Sequence, residues 1–324
     1  MKKPQNEIVP VYQVINGRKY PRILPRHILL DALNYTPEKG DIFIASYPKS
    51  GMTWMQHIVL LILNNGKQHQ DHMEFIRKTP FLDAMGSQAI REMPKPGPIK
   101  THFPFHLVPY SSEAKYIYVA RNPKDNCVSY FHHHLMFPMY RFQNGTFNTF
   151  FELFVTGETI SGDYFDNLMS WYPHRGDHNV LFVTYEEMKT NIREVVLKVA
   201  GFLHEECLEM LKADEELLQR ILYYTSFDYM KKTVNRDLES FFKTNPLKFL
   251  MGSTPPGLRA GILNAIRLGD LKTPDKPNFI RKGIVGDWKN YMTEDQSKRL
   301  DEKFLKVTQG TDLPQLWKEY MQLT

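Results

Sequence analysis

Three short apolar runs, at 42–47, 116–120 and 180–185, constrain this chain more than any other feature. Each is nearly continuous and rich in β-branched or aromatic residues, the pattern of a strand buried on both faces. Between and beyond them apolar residues recur at helical spacing, in 53–63, 164–172 and 192–202, the last ending near Gly201. Strands alternating with helices predict an α/β fold built on a central parallel sheet flanked by helices. No repeat or composition break divides the 324 residues, so residues 1–324 read as a single domain. The segment 232–277, rich in Pro, Gly and Thr toward its end, reads as a long loop insertion, with a short helix at 258–268. In sheets of this kind ligands bind beyond the carboxyl ends of the strands. The residues that follow each strand are therefore the candidates for function.

After the first strand comes Tyr47-Pro48-Lys49-Ser50-Gly51-Met52-Thr53-Trp54, running into a helix. Free N–H groups at a helix start hold anionic oxygens, and the helix dipole favours negative charge there. Lys49 adds a point charge, and Ser50 and Thr53 add hydroxyl donors. The Walker A spacing is absent, because the lysine precedes the glycine. After the second strand comes Arg121-Asn122-Pro123-Lys124-Asp125, with Ser129 on the following helix. A guanidinium at a strand end can fork onto a phosphate. Lys100-Thr101-His102 follows the apolar Ile99. An imidazole with a reference pKa of about 6.5 suits a general base. Near the C-terminus, Arg281-Lys282-Gly283-Ile284-Val285-Gly286-Asp287-Trp288-Lys289 combines two cations with a glycine that lets the backbone wrap an anion.

Composition excludes several classes. A net charge of +5 suits an anionic ligand and is too small to argue for nucleic acid. Two cysteines exclude a disulfide framework and a four-cysteine zinc site. The run His132-His133-His134 lacks the spacing of a metal site and reads as helix surface and pocket lining. The polar residues 1–10 lack a signal-peptide core, and the apolar run 58–63 falls far short of the ~20 residues that span a bilayer. These features predict a cytoplasmic protein with no membrane association.

Four motifs in this order resemble those of the cytosolic sulfotransferases, which use 3′-phosphoadenosine 5′-phosphosulfate (PAPS) and release its desulfated product PAP. The resemblance covers nearly the whole chain and implies a P-loop-kinase-like fold, a small-molecule acceptor and no metal. It implies that His102 is the general base, that Lys49 stabilises the bridging oxygen of the leaving phosphate, and that Lys100 stabilises the transferring sulfonate. It implies that the turn Ser50, Gly51, Met52, Thr53 and Trp54 holds the 5′-phosphate, and that Arg121, Ser129, Arg281, Lys282 and Gly283 hold the 3′-phosphate. Trp54 and Phe227 would sandwich the adenine, with Tyr185 and Thr225 close by. Phe75, Phe81, Phe105, Tyr130, His133 and Met139 would line the acceptor pocket, whose aromatic walls suit a phenol or catecholamine.

The chain departs from the family in four places. Met52 stands where the family has threonine. The dimer motif K-x-x-x-T-V-x-x-x-E retains Lys289 and Thr293 but has Glu294 for valine and Lys298 for glutamate, which predicts a monomer or an atypical dimer. The separation between Thr225 and Arg281 is longer than usual, and the insertion is expected to shape the acceptor pocket and gate the donor. His133 and Ser161 replace common aromatics, giving a more polar pocket. Two other readings stay open at this level: a donor-binding pseudo-enzyme, and a P-loop-like nucleotide kinase.

Overall fold

The computed structural model describes residues 7–252, 254–271 and 278–323. Two short strands, β1 (Gln13–Ile15) and β2 (Arg18–Tyr20), form an antiparallel hairpin. The centre is a parallel sheet of β3 (Ile42–Ala45), β4 (Pro98–Thr101), β5 (Lys115–Ala120) and β6 (Val180–Thr184), in the order β4-β3-β5-β6. The three apolar runs are thus strands, and β4 adds a fourth that carries Lys100. The first and third runs outlast the ladder by a residue or two, because Tyr47 and Tyr185 have already turned into the loops that follow.

Strand alternation divides the core into two layers. Phe43, Ala45, Tyr116, Tyr118 and Ala120 face one side, against an aromatic layer that includes Tyr130, Phe150, Phe154, Tyr164 and Trp171. Ile42, Ile44, Ile117, Val119 and Val183 face the other, against the aliphatic residues of the helices Met52–Leu63, Ile192–Leu203 and Glu215–Tyr224. Both faces are covered, as a parallel sheet requires. The register sets Ala45 beside Thr101 on one side and beside Tyr118 on the other, and Ala120 beside Thr184. All four strands therefore end side by side, and the loops that leave them share one edge of the molecule.

Two expectations are corrected. The expected loop insertion is largely helical: the short helix expected at 258–268 is present as Pro256–Leu268, and a helix Phe227–Lys243 and a 3₁₀ turn Pro246–Leu250 precede it. Its prolines and glycines mark helix ends rather than a coil. Pro256 opens the last helix, where a missing N–H costs nothing, and Gly269 closes it at φ 69°. That helix docks on Leu82–Arg91 so closely that a Cβ on Gly257 would lie 2.2 Å from the Met85 carbonyl oxygen. The end of the expected insertion, 272–277, lies outside the described residues. The histidine run is not a helix surface. Successive helical residues point about 100° apart, so the three side chains go three ways. His134 is fully buried and stacks on Tyr140, His132 bonds the Tyr291 hydroxyl at 2.8 Å, and His133 lines a cavity.

The C-terminal helices are fastened by a buried cation. Lys124 is fully buried, and its ammonium donates to Ser297 Oγ (2.8 Å), Asp301 Oδ2 (2.7 Å) and the Met321 carbonyl (2.7 Å). Removing one partner leaves the other charge buried and unpaired. Lys124→Ala is expected to cost about 3 kcal/mol of folding stability, read by urea unfolding. A loss below about 1 kcal/mol would show that the fastening contributes little.

Candidate active site

The loops at the strand ends enclose a cavity of about 530 Å³. It gathers Lys49 from the loop after β3, Lys100 and His102 from the end of β4, Arg121 from the end of β5 and Tyr185 from the end of β6, with Arg281, Lys282 and Gly283 closing it from the C-terminal segment.

His102 is held on two sides. Its backbone N–H donates to Asp83 Oδ2 (2.9 Å), and Asp83 Oδ1 accepts from Thr101 Oγ1 (2.7 Å). Its Nδ1 lies 2.8 Å from the Ser46 carbonyl oxygen. A carbonyl only accepts, so Nδ1 carries the proton and Nε2 keeps the lone pair. Nε2 has no partner among the described residues. Burial, then the charges of Lys100 and Lys49, push the ring pKa down to about 3. Near neutral pH the ring is therefore neutral and able to accept a proton.

Lys49 and Lys100 flank it. Burial, then the charges of Arg121, Lys100 and Arg281, bring Lys49 down to about 7. Burial, opposed by the Asp83 carboxylate, brings Lys100 down to about 8. Both ammoniums rest on rings: Lys49 Nζ lies 3.7 Å from the Phe279 centroid and Lys100 Nζ 4.4 Å from that of Phe81.

The other half of the cavity is built for an anion. Lys49 at φ 69° and Gly51 at φ 109° turn the chain sharply into the helix Met52–Leu63. The N–H groups of Met52 and Thr53 have no acceptor among the described residues. A Cβ on Gly51 would meet Tyr185 Cδ2 at 2.9 Å, so glycine lets this loop lie against the ring. Arg121 spreads over the Tyr185 ring, 4.2 Å from its centroid, and donates weakly to the Lys49 and Ile284 carbonyls at 3.4 Å. Its Nε, like Trp54 Nε1, is buried without a partner. Lys189 Nζ stands 6.0 Å from the Trp54 ring and 5.6 Å from that of Phe227, so these two rings front a common space. Gly283, at φ 62°, packs directly on Phe227, where a Cβ would lie 2.2 Å from the ring. Mutually repelling cations, free N–H groups and orphaned buried donors fit a polyanion carrying an aromatic base.

Asp125 and Asp287 arrange the closing segment. Asp125 accepts from the N–H groups of Gly286 (2.7 Å) and Trp288 (3.1 Å), tying that segment to the helix that follows β5. Asp287 pairs with Arg281 (2.5 Å) and Lys282 (2.7 Å). Burial alone would raise its carboxyl, but hydrogen bonds from Lys282, Asn290 and Arg281 outweigh that and hold it at about 2.

The structure brings Lys49, Gly51, Met52, Thr53, Trp54, Lys100, His102, Arg121, Ser129, Tyr185, Phe227, Arg281, Lys282 and Gly283 to one cavity, with Phe75, Phe81, Tyr130, His133 and Met139 in its wall. Three expected residues lie elsewhere. Phe105 stacks on His174 at 3.5 Å between centroids and packs edge-on against Trp171, because the turn that follows His102 carries it out of the cavity. Ser50 sits beneath the loop, its Oγ bonded to Asn126 at 3.0 Å. Thr225 is fully buried behind the wall and donates to the Ile221 carbonyl at 2.8 Å. The sequence reading missed Asp83 and Ser46, which orient the imidazole. It also missed a deeper group of His57, His69, His72 and Asp237 in the wall. Among the described residues no three His, Cys, Asp or Glu side chains converge as a metal site, and no helix is long and apolar enough to cross a membrane.

Comparison with known proteins decides the family. Residues 39–250 and 261–312 match the model of the sulfotransferase domain. The chain belongs to the sulfotransferase family. It is 36% identical to mouse sulfotransferase 1B1 over 285 residues, covering 85% of this chain and 84% of that one. It is 31% identical to rabbit amine sulfotransferase over 307 residues, covering 93% and 92%. The structure superposes on mouse sulfotransferase SULT7A1 complexed with PAP with a TM-score of 0.71 and 27% identity, covering 96% of this chain and 99% of that one. The parallel sheet with its loop-to-helix anion site is thus the P-loop-like fold of this family.

The His102 geometry makes a prediction for the free enzyme. Nitrogen-15 NMR of labelled histidine is expected to show His102 as the neutral Nδ1–H tautomer throughout pH 5 to 8. A titration midpoint near the ordinary histidine value would show that burial and the lysines do not depress it.

Proposed function

We propose that this PAPS-dependent sulfotransferase moves the sulfuryl group of PAPS to a hydroxyl or amine of a small aromatic acceptor of phenol or catecholamine type. The observation that carries the reading is the His102 imidazole. Its lone pair stands at Nε2 between Lys49 and Lys100, with a second cation group across the cavity. PAPS supplies an activated sulfuryl group and places anionic charge at two separated points. The two cation groups supply the matching sites. Lys49, with the N–H groups of Met52 and Thr53, faces the 5′ end. Arg121, Ser129, Arg281, Lys282 and Gly283 hold the 3′-phosphate, and Trp54 and Phe227 enclose the base.

In the transfer the acceptor's proton goes to His102 Nε2. The acceptor's oxygen or nitrogen bonds to sulfur as the bond from sulfur to the phosphate oxygen breaks. Lys49 takes the charge left on that oxygen, and Lys100 steadies the sulfonate oxygens. Such transfers depend on positioning and on charge stabilisation at spread-out oxygens, which fixed ammoniums and helix-start N–H groups provide. The donor's negative charge also offsets the lysines that depress His102, so the base strengthens when the donor is in place. No residue of this scheme needs a metal.

His133 and Ser161 in the wall support an acceptor with polar substituents. Thr293 caps the helix Glu294–Val307, and Glu294 and Lys298 in place of the family's valine and glutamate support a monomer. The two free cysteines, one buried, are consistent with a reducing, cytoplasmic location.

The test is turnover of labelled PAPS against a panel of phenols, catecholamines, steroids and aliphatic alcohols. His102→Ala is expected to lower kcat by about 10²- to 10⁴-fold, with PAP affinity within about threefold of wild type. Full activity in that variant would remove His102 from the chemistry, and tight PAP binding with no turnover of any acceptor would favour a binding protein. PAP affinity should also depend on pH. Lys49 is depressed to about 7 in the free enzyme, and a bound anion raises it, so above that value binding takes up a proton. Affinity is expected to fall as pH rises from 7 to 9, by up to about tenfold per unit, and Lys49→Arg should flatten that limb.

A further inference from the structure

We propose that Arg18 recognises a carboxylate on the acceptor, and that the preferred substrates are aromatic hydroxy or amino compounds bearing such an anionic arm. The proposal rests on the sulfotransferase reading above and names the substrate class of its acceptor site. Arg18 comes from β2, outside every motif the family resemblance uses, and lines the cavity. It is half-buried, yet no carboxylate lies within ion-pair distance of it among the described residues. The neighbouring Lys19 pairs with Glu158. A guanidinium withdrawn this far from water normally has a counter-ion.

Three observations give the site its shape. Nη2 of Arg18 donates to the Ser161 carbonyl, and its Nε and Nη1 have no partner among the described residues. The guanidinium lies flat against Gly162, where a Cβ would stand 3.6 Å from Cζ. Ser161 at φ 84° and Gly162 at φ 80° are successive left-handed residues that present this carbonyl and leave room for the plane. One edge of the fork is thus anchored and the other left free, which matches the planar geometry of a carboxylate.

Position separates this charge from the donor. Arg18 acts electrostatically on His102, Tyr47, Tyr130 and Tyr20. The charges that act on Lys49 are instead Arg121, Lys100 and Arg281. Arg18 therefore lies on the acceptor side of the base. The donor's anionic groups are met by the other cations, and Arg18 is left for the acceptor. Tyr20, Phe81, Tyr140 and Ile160 line the space beside it and suit the ring that carries the arm.

The experiment compares two ligands that differ in one charge. PAP-loaded protein is titrated calorimetrically with 3-(4-hydroxyphenyl)propionate and with its methyl ester, for wild type, R18M and R18K. Both compounds are also assayed for turnover with labelled PAPS. The acid should bind wild type about tenfold to a hundredfold tighter than the ester, the range of a charge-assisted pair. R18M should abolish that preference, and R18K should keep only part of it, since an ammonium lacks the fork. Unchanged PAP affinity in both variants shows that the fold is intact. An ester that binds wild type as well as the acid overturns the proposal. So does an R18M that weakens both ligands equally, because Arg18 then serves only to pin the hairpin to the 161 carbonyl. Turnover of the ester sustains the sulfotransferase reading whichever way the charge comparison falls.

Discussion

Positive charge gathered at one edge of the sheet, only part of it met by the Asp287 carboxylate, is the constraint around which this molecule is arranged. Lys100, Arg121 and Arg281 all lie within electrostatic reach of Lys49, and burial makes that repulsion stronger than it would be in water. A chain keeps such an arrangement only if the surrounding structure enforces it. Here four parallel strands stop in line, and two covered faces hold them there. Stability is given up at the site, and the aromatic and aliphatic layers behind it make good the loss.

The base is governed by the same charges in the opposite sense. Burial first, and then the neighbouring lysines, make the His102 imidazole hard to protonate, which keeps it available but weak. The Ser46 carbonyl fixes which nitrogen is available, and Asp83 fixes where the backbone places the ring. Reactivity is thus tied to occupancy. On the proposed reading, a bound anion would offset the lysines' share of the depression, so the imidazole would be a stronger proton acceptor with the donor in place.

Much of this was legible in the sequence. The strands announced themselves because a strand covered on both faces must be apolar throughout, and the rule that ligands gather at strand ends then pointed to Lys49, His102 and Arg121. The Gly283 position was legible because backbone freedom is written in the residue type. Other features depend on contacts between distant segments and leave no local trace. Asp83 is one acidic residue in an unremarkable helix until β4 is laid beside it. Phe105 has the right chemistry for a pocket wall, but a turn sends it to His174. Pro256 and Gly269 read as loop residues because the signals that break a helix are the ones that begin and end it. The histidine run reads as helix surface and pocket lining; His133 does line the cavity, but His134 is buried, because three neighbours on a helix cannot share one face.

The Asp287 carboxylate gives the closing segment a further property. It already holds Arg281 and Lys282, so on the proposed reading a phosphate arriving there would exchange partners rather than fill a void. A nucleotide departing from that site would leave behind cations that Asp287 satisfies at once. An internal counter-ion of this kind trades depth of binding for speed of exchange, and at a nucleotide site it would shorten the dwell time of the spent nucleotide, the step that limits turnover in many enzymes once the chemistry is fast.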